Sequence, residues 1–472
     1  MSSAASRVRG SDFVTELEAT LGDCVHLPGT AGYHASLDGV FFPDASRRRP
    51  PCVVRPRSTN DVAAAMHLAS THAGRVTVRG GGLSSNCVAD DAAMIDLSAH
   101  LAGARAEGDL VRVGGGATVG VALAAIASTG RVLPVGIVGL AGMGLMTRGG
   151  VGYLTRSAGL TLDHLVEVEL VRPDGTVTTL SEDSTGDDAD LWWAVRGCAP
   201  PFGVVTSALL RTVEQGPVFV DRLVTGADSL ATYFAVAPTL PRHTTMGGVL
   251  GYVAGESDPV LLIYTACRSQ DAADIAVARA ATSTVAGATA PAFRAETTGR
   301  YLEGLPEFAI PGPCGEDPAP IELPAPGADR GWFYGKSVFT GPTLGSVIAN
   351  GLVEAIRCAP TTACRIDFQH TGGALGDVAD TDTAFWGRRA EWNIPLNAIW
   401  SDPSDGEACY EWARRTLGVL TPETIGVYSV EVRPGLAETE REIEAAFGPN
   451  LARLRRLRRR HDPAGVLGGY PL

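Results

Sequence analysis

Three consecutive glycines, Gly80, Gly81 and Gly82, follow the apolar run from Val76 to Arg79 and lead into Leu83 and Ser84. Backbone without side chains can wrap an anion with its N–H groups, so a strand ending in such a run has the form of a phosphate cradle. The Gly-x-Gly-x-x-Gly spacing of a nicotinamide-type loop is missing and no helical pattern follows at once, which argues against that site. A lone triple glycine is more often a plain loop, so its meaning depends on what else the chain carries. The segment Gly331 to Ser337 has a P-loop flavour around Lys336. Its first glycine is one residue out of register and its interior is aromatic, so Tyr334 and its neighbours read as lining or support for a cavity. Nine cysteines lie scattered with no Cys-x-x-Cys pair, which fits neither a zinc site nor a disulfide framework; no metal site is expected.

The elements that position these residues follow from periodicity. Short strands are predicted at Pro51 to Pro56, Arg75 to Arg79, Ala93 to Leu97 and Leu110 to Val113. A helix between the first two is capped by Ser58 or Thr59, buries Val62, Ala65, Met66 and Ala69, and ends at Gly74 in a left-handed residue. Further predictions are a helix over Val119 to Ser128, a hairpin pairing Leu165 to Val171 with Thr176 to Leu180 through Pro173-Asp174-Gly175, a short helix over Asp190 to Arg196, and a strand over Gly203 to Arg211. The pattern shifts near Gln215-Gly216-Pro217 to alternating strands and helices as far as Gly426, with a loop from Pro311 to Arg330. The division is therefore 1–215, in two subdomains split near 110, an inserted α+β domain over 216–426, and a returning segment over 427–472. The end, Glu438 to Arg460, reads as one helix. Its arginines form a solvated face beside the stripe Leu451, Leu454 and Leu457 rather than a nucleic-acid site.

The chain of 472 residues is 45% hydrophobic, enough for two cores. A net charge of −13 repels phosphate backbones and anionic headgroups, so neither nucleic acid nor a membrane is an expected partner. The apolar stretch from Val132 to Thr147 is too short and too glycine-rich to span a bilayer, and residues 1–12 lack a signal-like apolar core; a cytoplasmic protein is expected. Lys336 is the single lysine beside many arginines, a bias of GC-rich bacterial coding.

Motifs further along give the glycine run company: Gly149-Gly150-Val151-Gly152-Tyr153, Gly159-Leu160-Thr161-Leu162-Asp163-His164, Asp190-Leu191-Trp192-Trp193-Ala194-Val195-Arg196-Gly197 and Phe202-Gly203-Val204-Val205-Thr206. With Val53-Val54-Arg55-Pro56, Thr383-Ala384-Phe385 with Arg388, and His461-Asp462-Pro463, this ordered set resembles the berberine-bridge-enzyme-like FAD-linked oxidases over nearly the whole chain. The resemblance implies an α+β fold with a two-part, PCMH-type FAD-binding domain and an inserted substrate domain on an antiparallel sheet. It places Arg79, Gly80, Gly81, Gly82, Leu83 and Ser84 on the pyrophosphate, Gly149, Gly150 and Gly152 along the flavin, and Val205 among the cofactor contacts. It assigns Tyr428 to substrate as base or hydrogen-bond donor. Gln369 and His370 fall on a strand lining the pocket, where alternation lets only one of the two face inward.

The departures cluster at the flavin. Leu83 stands where the family carries a histidine that bonds to the ring, and Val138 where many members carry a cysteine, so no covalent link can form. Arg148 introduces a large cation, Pro200 and Pro201 remove two backbone donors, and Val430 replaces a polar side chain. FAD is thus expected to be noncovalent or absent. The leading expectation is a redox-neutral ring-forming enzyme, a cyclase or pericyclase, acting on a bulky, polyketide-like natural-product intermediate. A noncovalent FAD oxidase or dehydrogenase stands next, and a catalytically dead binding protein last. The partner is a small molecule, and nothing in the sequence sets an oligomeric state.

Overall fold

Ser58 begins the first long element after the N-terminal helix: its hydroxyl accepts from the Asp61 N–H while the Asp61 carboxylate accepts from the Ser58 N–H. This reciprocal cap starts the helix Thr59–Thr71, which buries Val62, Ala65, Met66 and Ala69 against Phe13 and Leu17. The left-handed residue at its end is Ala73 (φ 51°), one position before the predicted glycine. Gly74 is small for another reason, since a Cβ there would sit 2.6 Å from the Phe13 ring. The computed structural model describes residues 2–253, 257–287, 291–300 and 331–472, with side chains from Asp12 onward; the predicted loop from Pro311 to Arg330 lies outside the described residues.

The helix crosses between strands of a four-stranded sheet ordered Val25–His26, Val53–Val54, Ala93–Asp96, Val76–Arg79, whose last three strands are parallel. The final residues return to this sheet: Val76 N–H donates to Val466 O, and the Asp462 carboxylate accepts from Val466 and Leu467 N–H. A second, antiparallel sheet runs Ala104–Glu107, Leu110–Gly114, Val204–Arg211, Leu165–Val171, Val177–Ser181, and contains the predicted hairpin with Gly175 at φ 89°. The short helix is longer than predicted, Gly186–Cys198, and kinks at Arg196 and Gly197.

An eight-stranded antiparallel sheet forms the rest, ordered Phe293–Gly299, Val218–Gly226, Val260–Cys267, Thr244–Gly251, Arg365–His370, Trp392–Trp400, Trp332–Thr340, Thr424–Val427. The α+β class is the one implied by the motifs. Helices including Ser346–Arg357 and Gly406–Leu420 cover one face, burying Ile366, Phe368, Trp392, Ile394 and Leu396. Alternation turns Gln369, Asn393 and Asn397 to the opposite face, toward the two smaller sheets. The C-terminal helix is two helices, Thr439–Phe447 and Leu451–His461, broken at Gly448-Pro449, where proline cannot continue a hydrogen-bonded turn. Among the described residues no helix is long and apolar enough to cross a membrane.

Candidate active site

One large cleft, with a cavity volume of about 260 Å³, lies between the smaller sheets and the free face of the eight-stranded sheet. Its floor is built from two glycine-bearing loops set back to back. A Cβ on Gly81 would fall 2.6 Å from Leu140 O and 2.9 Å from Gly142 N, so the loops meet only because Gly81 has no side chain. Gly82 adopts φ 82°, and its carbonyl accepts from Phe41 N–H at 2.9 Å. Among the described residues no protein acceptor takes the N–H groups of Gly81, Gly82, Leu83 or Ser84. Half-buried donors left open at the rim of a cavity suit an anion such as a diphosphate. Leu83, Val138 and Val205 line the same floor, and neither Leu83 nor Val138 offers a nucleophile.

Several residues assigned from sequence lie elsewhere. Arg79 turns beneath the loop, donating to Asp96 Oδ2 at 2.8 Å, Ser98 Oγ at 2.7 Å and Gly39 O at 3.0 Å; it pins the cradle and does not line it. Gly149, Gly150 and Gly152 also lie outside the lining. They allow close packing: a Cβ on Gly149 would meet the Tyr428 hydroxyl at 2.6 Å, and one on Gly150 the Thr161 hydroxyl at 1.9 Å. Gly80 lines the cleft with Gly81 and Gly82. Pro200 lines it too. Arg148 does not project across the floor: its Nε donates to Gly144 O at 2.9 Å and its guanidinium lies 5.4 Å from the Tyr470 ring centroid.

The wall comes from the sheet. Ser337 Oγ donates to Asn393 Oδ1 at 2.7 Å and Asn393 Nδ2 to Gln369 Oε1 at 2.7 Å, a ladder across three strands. Gln369 is the inward residue of its pair. His370 faces the helices, stacked 4.8 Å from Trp392, so its assignment to catalysis is corrected. Its Nδ1 accepts from Met246 N–H, which leaves the proton on Nε2 to donate to Glu391 Oε1 at 2.8 Å. Burial pulls its pKa down to about 4, against the hydrogen bond to Glu391. Tyr334 and Lys336 likewise face away; Lys336 donates to Glu442 at 2.6 Å, and Phe333 alone of the aromatic segment reaches the cleft.

At the junction of wall and floor the Tyr428 oxygen accepts from Gly150 N–H at 2.8 Å and Val151 N–H at 3.3 Å. Burial pushes its pKa up to about 12 although both N–H groups pull the other way. It is a neutral phenol with one proton to give, which removes it from the role of base. Glu431 supplies the group that the sequence reading missed. Residues Ser429–Glu431 form a 3₁₀ turn, whose three-residue period brings Glu431 to the same side as Tyr428, and both line the cleft. Burial raises the Glu431 carboxyl above its ordinary value, with Arg433, Lys336 and Arg148 drawing it back. A carboxyl raised in this way and set on a cavity wall is placed to accept and return a proton.

Residues 50–181 match a family model described as an FAD binding domain. Over 87 residues, 18% of the chain, it is 45% identical to the FAD-linked oxidoreductase pgmH of Aspergillus terreus, covering 17% of that protein. Over 218 residues, 44% of the chain, it is 34% identical to (R)-6-hydroxynicotine oxidase of Paenarthrobacter nicotinovorans, covering 45% of it. The chain thus spans less than half the length of these curated relatives. The fold superposes on BBE-like 1 from Physcomitrella patens with a TM-score of 0.80 at 20% identity, covering 97% of this chain and 99% of that one.

Proposed function

We propose that this chain, a divergent member of the berberine-bridge-enzyme-like FAD-linked oxidase family, binds FAD without a covalent link and oxidises a bulky, natural-product-like small molecule held against the amide wall. The observation that carries the reading is the row of open N–H groups at Gly81, Gly82, Leu83 and Ser84, set in a cleft that no side chain fills. These groups would hold the diphosphate, and Leu83 and Val138 would give apolar contact where a bond is chemically impossible. When bound, FAD supplies a two-electron acceptor.

The chain's own residues do the rest. Ser337, Asn393 and Gln369 form a neutral ladder that orients hydroxyl or carbonyl groups of the substrate. Tyr428 keeps its proton and offers it as a hydrogen bond to a substrate oxygen. Glu431 takes the proton released from the substrate hydroxyl or amine. A redox-neutral ring-forming enzyme is the second reading, favoured by Pro200 in the floor, which has no N–H to offer a cofactor. In that case the same wall would hold a flexible chain in a near-attack shape.

The visible spectrum and denatured mass of the purified protein decide between them. Stoichiometric yellow flavin that survives gel filtration, on a chain that runs at apoprotein mass once denatured, supports the oxidoreductase. A colourless protein giving an isomeric product without oxygen uptake overturns it in favour of ring formation.

A further inference from the structure

Arg148 is 5% exposed and makes no ion pair with a carboxylate among the described residues. Its Nε donates to Gly144 O at 2.9 Å, its Nη1 reaches Ser429 O at 3.4 Å, and the Tyr470 ring lies beside it at 5.4 Å. Carbonyl dipoles and a ring quadrupole offset part of the cost of burying a cation, but among the described residues no carboxylate contacts it directly and Glu431 acts on it only from a distance. Other buried cations lie nearby, among them Lys336, which Glu442 neutralises at 2.6 Å, and Arg433, which also lines the cleft, donates to Phe333 O at 3.2 Å and lies over the Phe42 and Tyr334 rings. Arg148 lines the same cleft as the open N–H groups of Gly81 to Ser84. Pro200, on the same floor, has no N–H to offer.

We propose that Arg148 is an anion-holding cation of this cleft, set to take negative charge carried by the bound dinucleotide. The proposal rests on the FAD reading. Two sources share this chemistry: the diphosphate, charged in every state, and the ring, which gains one negative charge on taking up two electrons and one proton. A guanidinium facing either anion in a water-poor cleft gains a charge-assisted contact. The sources differ in one consequence. A cation facing the diphosphate binds oxidised and reduced cofactor alike, whereas a cation facing the ring favours the reduced form and raises its potential.

The test uses the full chain and two variants, Arg148→Gln, which keeps a donor for Gly144 O but removes the charge, and Arg148→Lys, which keeps the charge. Affinities for FAD and for ADP are measured by titration, and the potential of the bound flavin by dithionite reduction against indicator dyes. Arg148→Gln is expected to weaken FAD at least about tenfold while Arg148→Lys stays close to the unaltered chain. If ADP weakens equally and the potential holds, the diphosphate is the anion. If ADP is unaffected and the reduced form loses tenfold in preference, ~30 mV for a two-electron couple, the ring is the anion. Unchanged affinities and potential in Arg148→Gln overturn the proposal. Should Arg148→Gln fail to fold, Arg148→Lys carries the test: retained FAD affinity supports a charge role, and a tenfold loss despite the retained charge overturns it. An unaltered chain that binds ADP but no FAD overturns the oxidoreductase reading instead.

Discussion

Glu431 and Tyr428 divide two jobs that a single tyrosine was expected to do. The phenol is fixed as an acceptor by Gly150 and Val151 N–H, and the carboxyl is the titrating group with a raised pKa. Glu431→Gln should therefore leave FAD affinity intact and slow substrate-driven bleaching of the flavin by about 10²- to 10⁴-fold, as read by anaerobic stopped flow. A variant that bleaches at the unaltered rate would remove Glu431 from proton transfer. Tyr428→Phe leaves Gly150 and Val151 N–H without their acceptor, at a cost of about 1–3 kcal/mol, visible as a lower denaturant midpoint. Turnover should fall ten- to a thousandfold, roughly, if the phenol polarises a substrate oxygen.

Between elements, the contact that matters most is the one between the two floor loops. Gly81→Ala places a methyl against Leu140 O and Gly142 N, both backbone, so the loops must part and the cradle opens. FAD binding should be lost or weakened at least about 100-fold, since several charge-facing N–H groups move together. Gly103→Ala, where a Cβ meets nothing within 4 Å, is the matched comparison and should bind FAD normally. Fluorescence titration of free FAD reads both. The amide ladder across the sheet is a second such contact, held in register by Gln369 opposite Asn393 and Ser337 opposite Pro395.

At the scale of the whole molecule, two arginines join the floor to the sheet domain. Arg388 grips Asp163 through two 2.7 Å bonds. Arg156 reaches into the sheet domain, donating to Thr371 O at 2.7 Å and Glu391 Oε1 at 2.6 Å, and Glu391 in turn holds His370. This network makes stability depend on acid. The unfolded His370 takes up a proton near 6.5 and the folded one only near 4. Above pH 6.5 the ring is neutral in both states and its contribution is complete. As pH falls from 6.5 toward 4 the unfolded chain binds a proton the folded chain refuses, so stability drops by up to about 3 kcal/mol from this group. Glu391 is buried, which alone would raise its pKa, but His370 and Arg156 hold it below the ordinary value, so its contribution fades at still lower pH. Melting temperature followed from pH 7 to pH 4.5 should fall more steeply in the unaltered protein than in His370→Gln, which keeps hydrogen-bonding groups but does not titrate there.

Local chemistry settled much of this in advance. The Ser58 cap, the Pro173-Asp174-Gly175 turn and the strand leading to Gly80 depend on neighbours within a few residues, so their elements can be read from spacing. Alternation in Trp392-Asn393-Ile394-Pro395-Leu396-Asn397 also marks one polar face, and the ladder was legible there although the sequence reading passed it by. That Leu83 and Val138 carry no nucleophile is read from their side-chain chemistry alone. Which face of a strand meets the cleft is a different matter, because it depends on what packs behind it. His370 has the side chain of a catalytic residue, yet the helices and Trp392 claim it; Arg79 adjoins the cradle, yet Asp96, distant in sequence but paired strand to strand, turns it under. Gly149 and Gly150 looked like cofactor loops and prove to be clearances for Tyr428 and Thr161. Glu431 became a candidate only when a single turn set it beside Tyr428 inside a cavity, since burial and the approach of distant charges, which raise or lower a pKa, exist only once the chain has closed on itself.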